Sequence, residues 1–189
     1  MSTIKVNNIQ SRTGNAISFT SGDTITIPSG ATLTNNGTAN GLGKIGQVQS
    51  TTLNTRIAFT STSYVDVSGL SVNITPTSTS SKILIFVKSN ACSINTTYNG
   101  VMRLMRDSVN IGNDETTWTY KGFGNLRRNS GGADSVDISM MYLDSPNTLS
   151  QINYHVEAKV EGDTFYINGV NSTSLLQSAS NITVMEVLA

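Results

Sequence analysis

The sequence predicts an all-β protein: an antiparallel β-sandwich of jelly-roll type over residues 44–189, preceded by an extended β stalk over residues 1–43. Three observations carry this expectation. Ser, Thr and Asn make up 70 of the 189 residues, and the many Thr and Val positions favour strands while helix formers such as Ala, Glu and Lys are scarce. Apolar residues recur with a period of two along several segments, the spacing that puts them on one face of a strand. Clusters of Asp, Asn, Gly, Ser and Pro punctuate those segments at the intervals expected of turns between short strands.

The N-terminal segment carries an internal repeat. Ser21-Gly-Asp-Thr-Ile-Thr26 is echoed by Ser29-Gly-Ala-Thr-Leu-Thr34, each a turn followed by a short alternation with one apolar residue on one side. One such strand cannot bury enough surface to be stable alone, whereas three copies wound about an axis could, with Ile17, Phe19, Ile25, Ile27 and Leu33 inward. A flexible Gly/Ser/Thr linker is the alternative, and Pro28 at a strand end is compatible with either. Asn40-Gly-Leu-Gly-Lys-Ile-Gly46 then reads as a hinge, because its glycines permit the positive φ angles of a change in direction.

Beyond the hinge, Leu70, Val72 and Ile74 alternate as one strand face. Ile83 to Val87 is a continuous apolar run, the pattern of a central strand covered on both faces. Val136, Ile138, Met140 and Tyr142 form another row. In the clearest strand Ile152, Tyr154, Val156, Ala158 and Val160 share one face, with Asn153, His155, Glu157 and Lys159 on the other. Turn chemistry sits at Asp107 to Asn110, Asp144-Ser-Pro-Asn147, Glu161-Gly-Asp163 and Asn168-Gly169, the last a hairpin signal.

Composition also bears on function. Apolar residues are 37%, enough for one core, while charged residues are 13% and the formal net charge is zero. Nucleic acid is not an expected partner, since that affinity starts from a basic surface. No basic segment followed by a long apolar stretch is present, so neither secretion nor membrane insertion is expected. The single Cys92 reads as a small core hydrophobe. With one histidine, His155, a multi-histidine metal site within one chain is impossible and a Ser-His-Asp triad would have to recruit it. It sits on a polar strand face beside Glu157, where a solvated or interface role is expected. Three copies meeting at an axis could in principle hold a metal there. Asp66, Asp107, Asp114, Glu115, Asp134, Asp137 and Asp144 are raw material for a glycan-cleaving carboxylate pair, but none lies in a recognisable motif. No catalytic residue, metal or cofactor is assigned.

The binding candidate is the interval Gly112 to Ala133. It holds the only Trp, Trp118, with Tyr120, Phe123, Arg127 and Arg128. Aromatic rings stack on the apolar faces of sugars and Arg bonds hydroxyl or acidic groups, the recipe for a surface-glycan site. The alternative is an ordinary strand in which Trp118 and Tyr120 face the core, with Arg127 and Arg128 in a solvated loop.

Several runs, in order, resemble one known family. They are Thr60 to Pro76, Thr77 to Val87, Met102-Arg-Leu-Met-Arg-Asp107, Tyr142-Leu-Asp-Ser-Pro146, Phe165-Tyr-Ile-Asn168 and Ile182 to Val187. Together they are similar to the C-terminal module of tailed-bacteriophage tail-fibre and virion structural proteins, over roughly three quarters of the chain. The resemblance implies a homotrimer located in the virion: a non-enzymatic fibre or spike whose N-terminal segment joins other tail or capsid proteins and whose head meets a host surface glycan or protein. A capsid decoration or head-fibre protein without host recognition is a second class. A depolymerase tailspike is a third, for which the chain lacks the long parallel β-helix such enzymes carry.

Overall fold

The structure is a computed structural model that describes residues 29, 44–93, 99–113, 122–127, 134–169 and 177–188. The chain divides into two compact units, Met1–Leu42 and Gly43–Ala189. Of the first, only Ser29, exposed in a turn, is described, so the stalk expectation and its repeat lie outside the described residues.

The second unit is all β, with no helix among the described residues. Its strands are β1 (Ile45–Leu53), β2 (Ile57–Phe59), β3 (Val65–Ile74), β4 (Lys82–Ser93), β5 (Asn99–Arg106), β6 (Val109–Ile111), β7 (Gly124–Arg127), β8 (Asp134–Asp144), β9 (Ile152–Val160), β10 (Phe165–Ile167) and β11 (Ser180–Val187). They form two sheets in which every pairing is antiparallel.

The six-stranded sheet is organised by β4, its longest strand. One edge of β4 pairs along its length with β8, from Ile83 opposite Asp144 to Ser93 opposite Asp134. The other edge is divided: Lys82 to Lys88 pair with β11, which carries β1 beyond it, and Ala91 to Ser93 pair with β10, which carries β2. In the five-stranded sheet β9 lies between β3 and β5, and the far edge of β5 pairs with β7 and then with β6. Leaving aside β2, β7 and β10, the strands run β1-β11-β4-β8 in one sheet and β3-β9-β5-β6 in the other.

One core joins the sheets. The alternating rows Leu70, Val72 and Ile74 of β3 and Ile152, Tyr154, Val156, Ala158 and Val160 of β9 meet Ile83, Ile85 and Val87 of β4 and Ile182 and Val184 of β11. Removing each large aliphatic side chain from water is favourable by about 1.5–3 kcal/mol, and these rows supply the main cohesion. Phe59 and Phe165 meet edge to face with centroids 6.4 Å apart. Gly100 makes room for that ring, since a Cβ there would stand 2.3 Å from Phe165 Cδ2. Cys92 is buried and in no disulfide, and it forms with Tyr166 a small cluster apart from the main core.

Three polar networks fix the strands. Arg106 Nη1 donates to both oxygens of buried Asp144 at 2.8 and 2.9 Å, and the Tyr154 hydroxyl donates to Asp144 Oδ2 at 2.6 Å, tying β5 and β9 to the end of β8. Burial, and then the carboxylate, push the Tyr154 hydroxyl well above its ordinary pKa. Glu186 takes an inward position in β11 and is fully buried. It accepts from the Thr77 amide at 2.6 Å, the Thr77 hydroxyl at 2.8 Å and Gln47 Nε2 at 2.8 Å. Gln47 Nε2 also donates to Thr75 O at 2.7 Å, so one carboxylate anchors the β3–β4 crossover to β1 and β11. Buried Asn168 donates from Nδ2 to the carbonyls of Leu53 and Thr55 at 2.7 and 3.2 Å and accepts from the Ser180 hydroxyl at 2.6 Å.

The turns fall where their residues point. The described non-glycine residues with positive φ are Asp107, Asn147, Asp163 and Asn168, each in a turn cluster marked by the sequence and each a type that tolerates that region. Two expectations need adjustment. Asn168-Gly169 does not close a tight hairpin, because Gly169 bridges Gln177 and the connection continues beyond it. Nor is the run Ile83 to Val87 covered on both faces. Ile83, Ile85 and Val87 are buried, whereas Phe86 on the other face is 38% exposed.

Candidate functional site

The densest group of chemically able side chains lies on the outer face of the five-stranded sheet, where β3 departs from regular pairing. Asp66 is opposite Glu157 and Ser71 is opposite His155, so the four residues Val67 to Leu70 of β3 stand against the single residue Val156 of β9. The insertion turns both Val67 and Leu70 into the core, and Gly69 provides the required backbone angle at φ +85°. The bulge and β9 enclose a hollow of about 270 Å³ lined by Asp66, Ser68, Gly69, Ser71, Asn153 and His155.

His155 is held at the edge of this hollow, its side chain 14% exposed. Its Nε2 lies 3.3 Å from Asp66 Oδ1 and 4.0 Å from Glu157 Oε1. Glu157 is bound from its other oxygen by Arg103, whose Nε donates to Oε2 at 2.5 Å. The Arg103 guanidinium lies over the Tyr64 ring at 4.0 Å from the centroid, with Lys159 Nζ at 4.6 Å from the same centroid. Burial, and then the Arg103 charge, lower the Lys159 pKa. Two carboxylates thus gather at His155 and two cations over Tyr64, with the Arg103–Glu157 pair joining the two groups.

Asp66, His155 and Glu157 each bring a ligand atom within 4.8 Å of the others, a spacing that three corners of a metal's coordination shell could use. The surroundings favour an ion-pair network instead. His155 Nδ1 is buried without a hydrogen-bond partner, so the ring lacks the acceptor that orients a metal-bound histidine. Glu157 is already neutralised by Arg103. The same atom bears on a serine relay, which needs one ring nitrogen at the acid and the other at the nucleophile. Here Nε2 faces both carboxylates and Nδ1 faces no partner. What the hollow offers is a set of short polar groups: the exposed Asp66 carboxylate, the hydroxyl-bearing Ser68 and Ser71, and the Asn153 amide.

Of the binding residues expected from sequence, Trp118, Tyr120 and Arg128 lie outside the described residues. Phe123 is half-buried and packs against the core. Arg127 ends β7, opposite Asn99 of β5. The interval Gly112 to Ala133 is therefore not one uninterrupted connection, because β7 lies within it, on the edge of the sheet away from the bulge. The hollow escaped the sequence reading because it depends on the bulge. Its trace is the pair Val67 and Leu70, three residues apart around Gly69, which breaks the period of two.

No family model matches the chain, and no curated protein matches it in sequence.

Proposed function

We propose that this chain is a non-enzymatic virion fibre or spike protein of the tailed-bacteriophage type. Residues 44–189 form a jelly-roll head that meets the host surface, residues 1–43 join the particle, and three copies make the functional unit. The observation that carries this reading is strand order. Setting β2, β7 and β10 aside and numbering the other eight strands along the chain, one sheet runs first, eighth, third, sixth and the other second, seventh, fourth, fifth. That order matches the double Greek key expected of jelly rolls, an architecture common among viral capsid and lectin domains, and it supports this reading. Fold alone does not specify activity, and the sequence resemblance supplies the virion assignment.

The hollow beside the β3 bulge is the surface proposed for host contact. Its carboxylate, hydroxyl and amide groups match the alternating donors and acceptors of a sugar, and its volume suits one ring rather than a drug-sized apolar ligand. Arg127, at the end of β7, and Arg128, next to it in sequence, remain a second candidate contact. Adsorption of virions carrying Asp66→Ala with Asn153→Ala, compared with Arg127→Ala with Arg128→Ala, tests both. Loss of adsorption in the first pair alone favours the hollow, and loss in the second alone favours the arginine connection. Normal adsorption by both removes host recognition and leaves the decoration role.

A further inference from the structure

The two outer faces of the sandwich differ in kind. The five-stranded sheet turns Asn153, His155, Glu157 and Arg103 outward, as expected of a face in contact with water. The six-stranded sheet turns out Val48, Met185, Leu84 and Leu143 in one row across β1, β11, β4 and β8, with Phe86 opposite Met141 in the next. Met141 is 67% exposed, Val48 50% and Leu143 47%. This is a contiguous band across four neighbouring strands, and it includes the outward half of the run whose pattern predicts cover on both sides.

We infer that this face is the contact through which copies of this chain associate. The inference rests on the trimeric reading above and assigns its surface. Area is the first argument. The band exposes on the order of 500 Å² of apolar surface, at the upper end of what a monomer leaves open and close to the apolar share of the roughly 800 Å² each partner contributes to a stable interface. Charge is the second. Beside the band Lys88 Nζ and Asp137 Oδ2 pair with each other at 3.2 Å, both exposed, so the charges flanking the band are already matched and do not oppose the approach of an identical face. The formal net charge of the chain is zero, so identical copies do not repel at long range. Shape is the third: a hollow of about 500 Å³ between Phe86, Lys88, Asp137 and Met141 offers a socket next to the protruding methionine.

Methionine oxidation reads this face without altering the chain. Full-length protein is treated with dilute hydrogen peroxide, each methionine is followed by peptide mass spectrometry, and the mass of the same sample is measured by light scattering. The expected result is three times 20.1 kDa, with Met141 oxidised at least about tenfold more slowly than in the urea-unfolded chain. A trimer whose Met141 reacts at the unfolded rate overturns the inference and leaves the trimer itself standing. A monomer with reactive Met141 overturns both. A monomer with protected Met141 assigns the face to residues 1–43 and also overturns the inference. Met141→Lys with Leu143→Lys is expected to yield folded monomers, and a variant that remains trimeric counts against this face.

Discussion

Glu186→Gln isolates the contribution of one buried charge. The wild-type carboxylate accepts three short hydrogen bonds, from the Thr77 amide, the Thr77 hydroxyl and Gln47. Glutamine has nearly the same shape but only one oxygen. If that oxygen serves Thr77, its NH₂ faces the NH₂ of Gln47. If Gln47 turns to accept, its bond to Thr75 O is lost. One bond disappears in either case, and the others lose their charge assistance. With bonds to charged groups contributing about 1.5–3 kcal/mol and neutral ones about 1, the variant should be about 3 kcal/mol less stable. At about 2–4 °C per kcal/mol for a chain of this size, the melting temperature should fall by about 6–12 °C.

The pH dependence makes the test sharper. Burial raises the Glu186 pKa, but the donors from Gln47 and Thr77 outweigh it, so the folded value lies below the ordinary 4.5. A depressed folded pKa contributes stability that is fully present above the unfolded value and lost as pH falls through the folded one. The gap between wild type and variant should therefore be constant near neutrality and close progressively below about pH 4.5. Urea titrations at fixed chain concentration from pH 7 to pH 3 measure it. A gap that keeps its full size at pH 3, or a variant within about 0.5 kcal/mol of wild type at pH 7, would refute the account of this network.

Other substitutions probe other joints. Tyr154→Phe removes the hydroxyl on Asp144 but leaves Arg106 in place, and should cost about 1–2 kcal/mol in urea denaturation. Asp144→Asn weakens the partner of the half-buried Arg106 and should cost more, about 3 kcal/mol. Asn168→Asp points a carboxylate at the carbonyls of Leu53 and Thr55, and a melting temperature at least about 6 °C below wild type is expected. Gly100→Ala drives a methyl into the Phe165 ring and should destabilise by about 1–3 kcal/mol, seen as a lower denaturation midpoint.

Much of the fold was legible because its local signals agree. The row Leu70, Val72 and Ile74 of β3 and the inward row of β9 alternate, and the turns at Asp107, Asn147 and Asp163 contain the residue types their positive φ angles require. Strand order was harder, because neighbours such as β1 and β11 are brought together by the tertiary fold and not by any local pattern. Glu186 was hidden by its type: a charged residue in an inward position reads as a break in the pattern until Thr77 and Gln47 are seen beside it. The site was least visible. His155 and Glu157 were evident as neighbours on one polar face, but Asp66 reaches them only because β3 bulges, and Arg103 and Tyr64 come from elsewhere in the chain. Asn168-Gly169 was misread for a similar reason, since Asn168 serves the carbonyls of Leu53 and Thr55 through a side chain whose role no local pattern reveals.

The pairing of β1 with β11 governs when the second unit can be completed during synthesis. Ile45 stands opposite Val187, and the Leu188 amide donates to Lys44 O at 2.7 Å, so the first strand of this unit finds its neighbour only when the last has been made. Until Ser180–Val187 leaves the ribosome, β1 has no partner on that edge and the first half of β4 has only β8. The nascent chain must therefore hold Ile83, Ile85 and Val87 without their cover from Ile182 and Val184, a wait set by translation and by the slow closure of distant pairings. Premature termination anywhere before residue 180 should leave a sticky, open sheet rather than a smaller folded unit, which makes the eight-residue strand β11 the committing step in folding this unit.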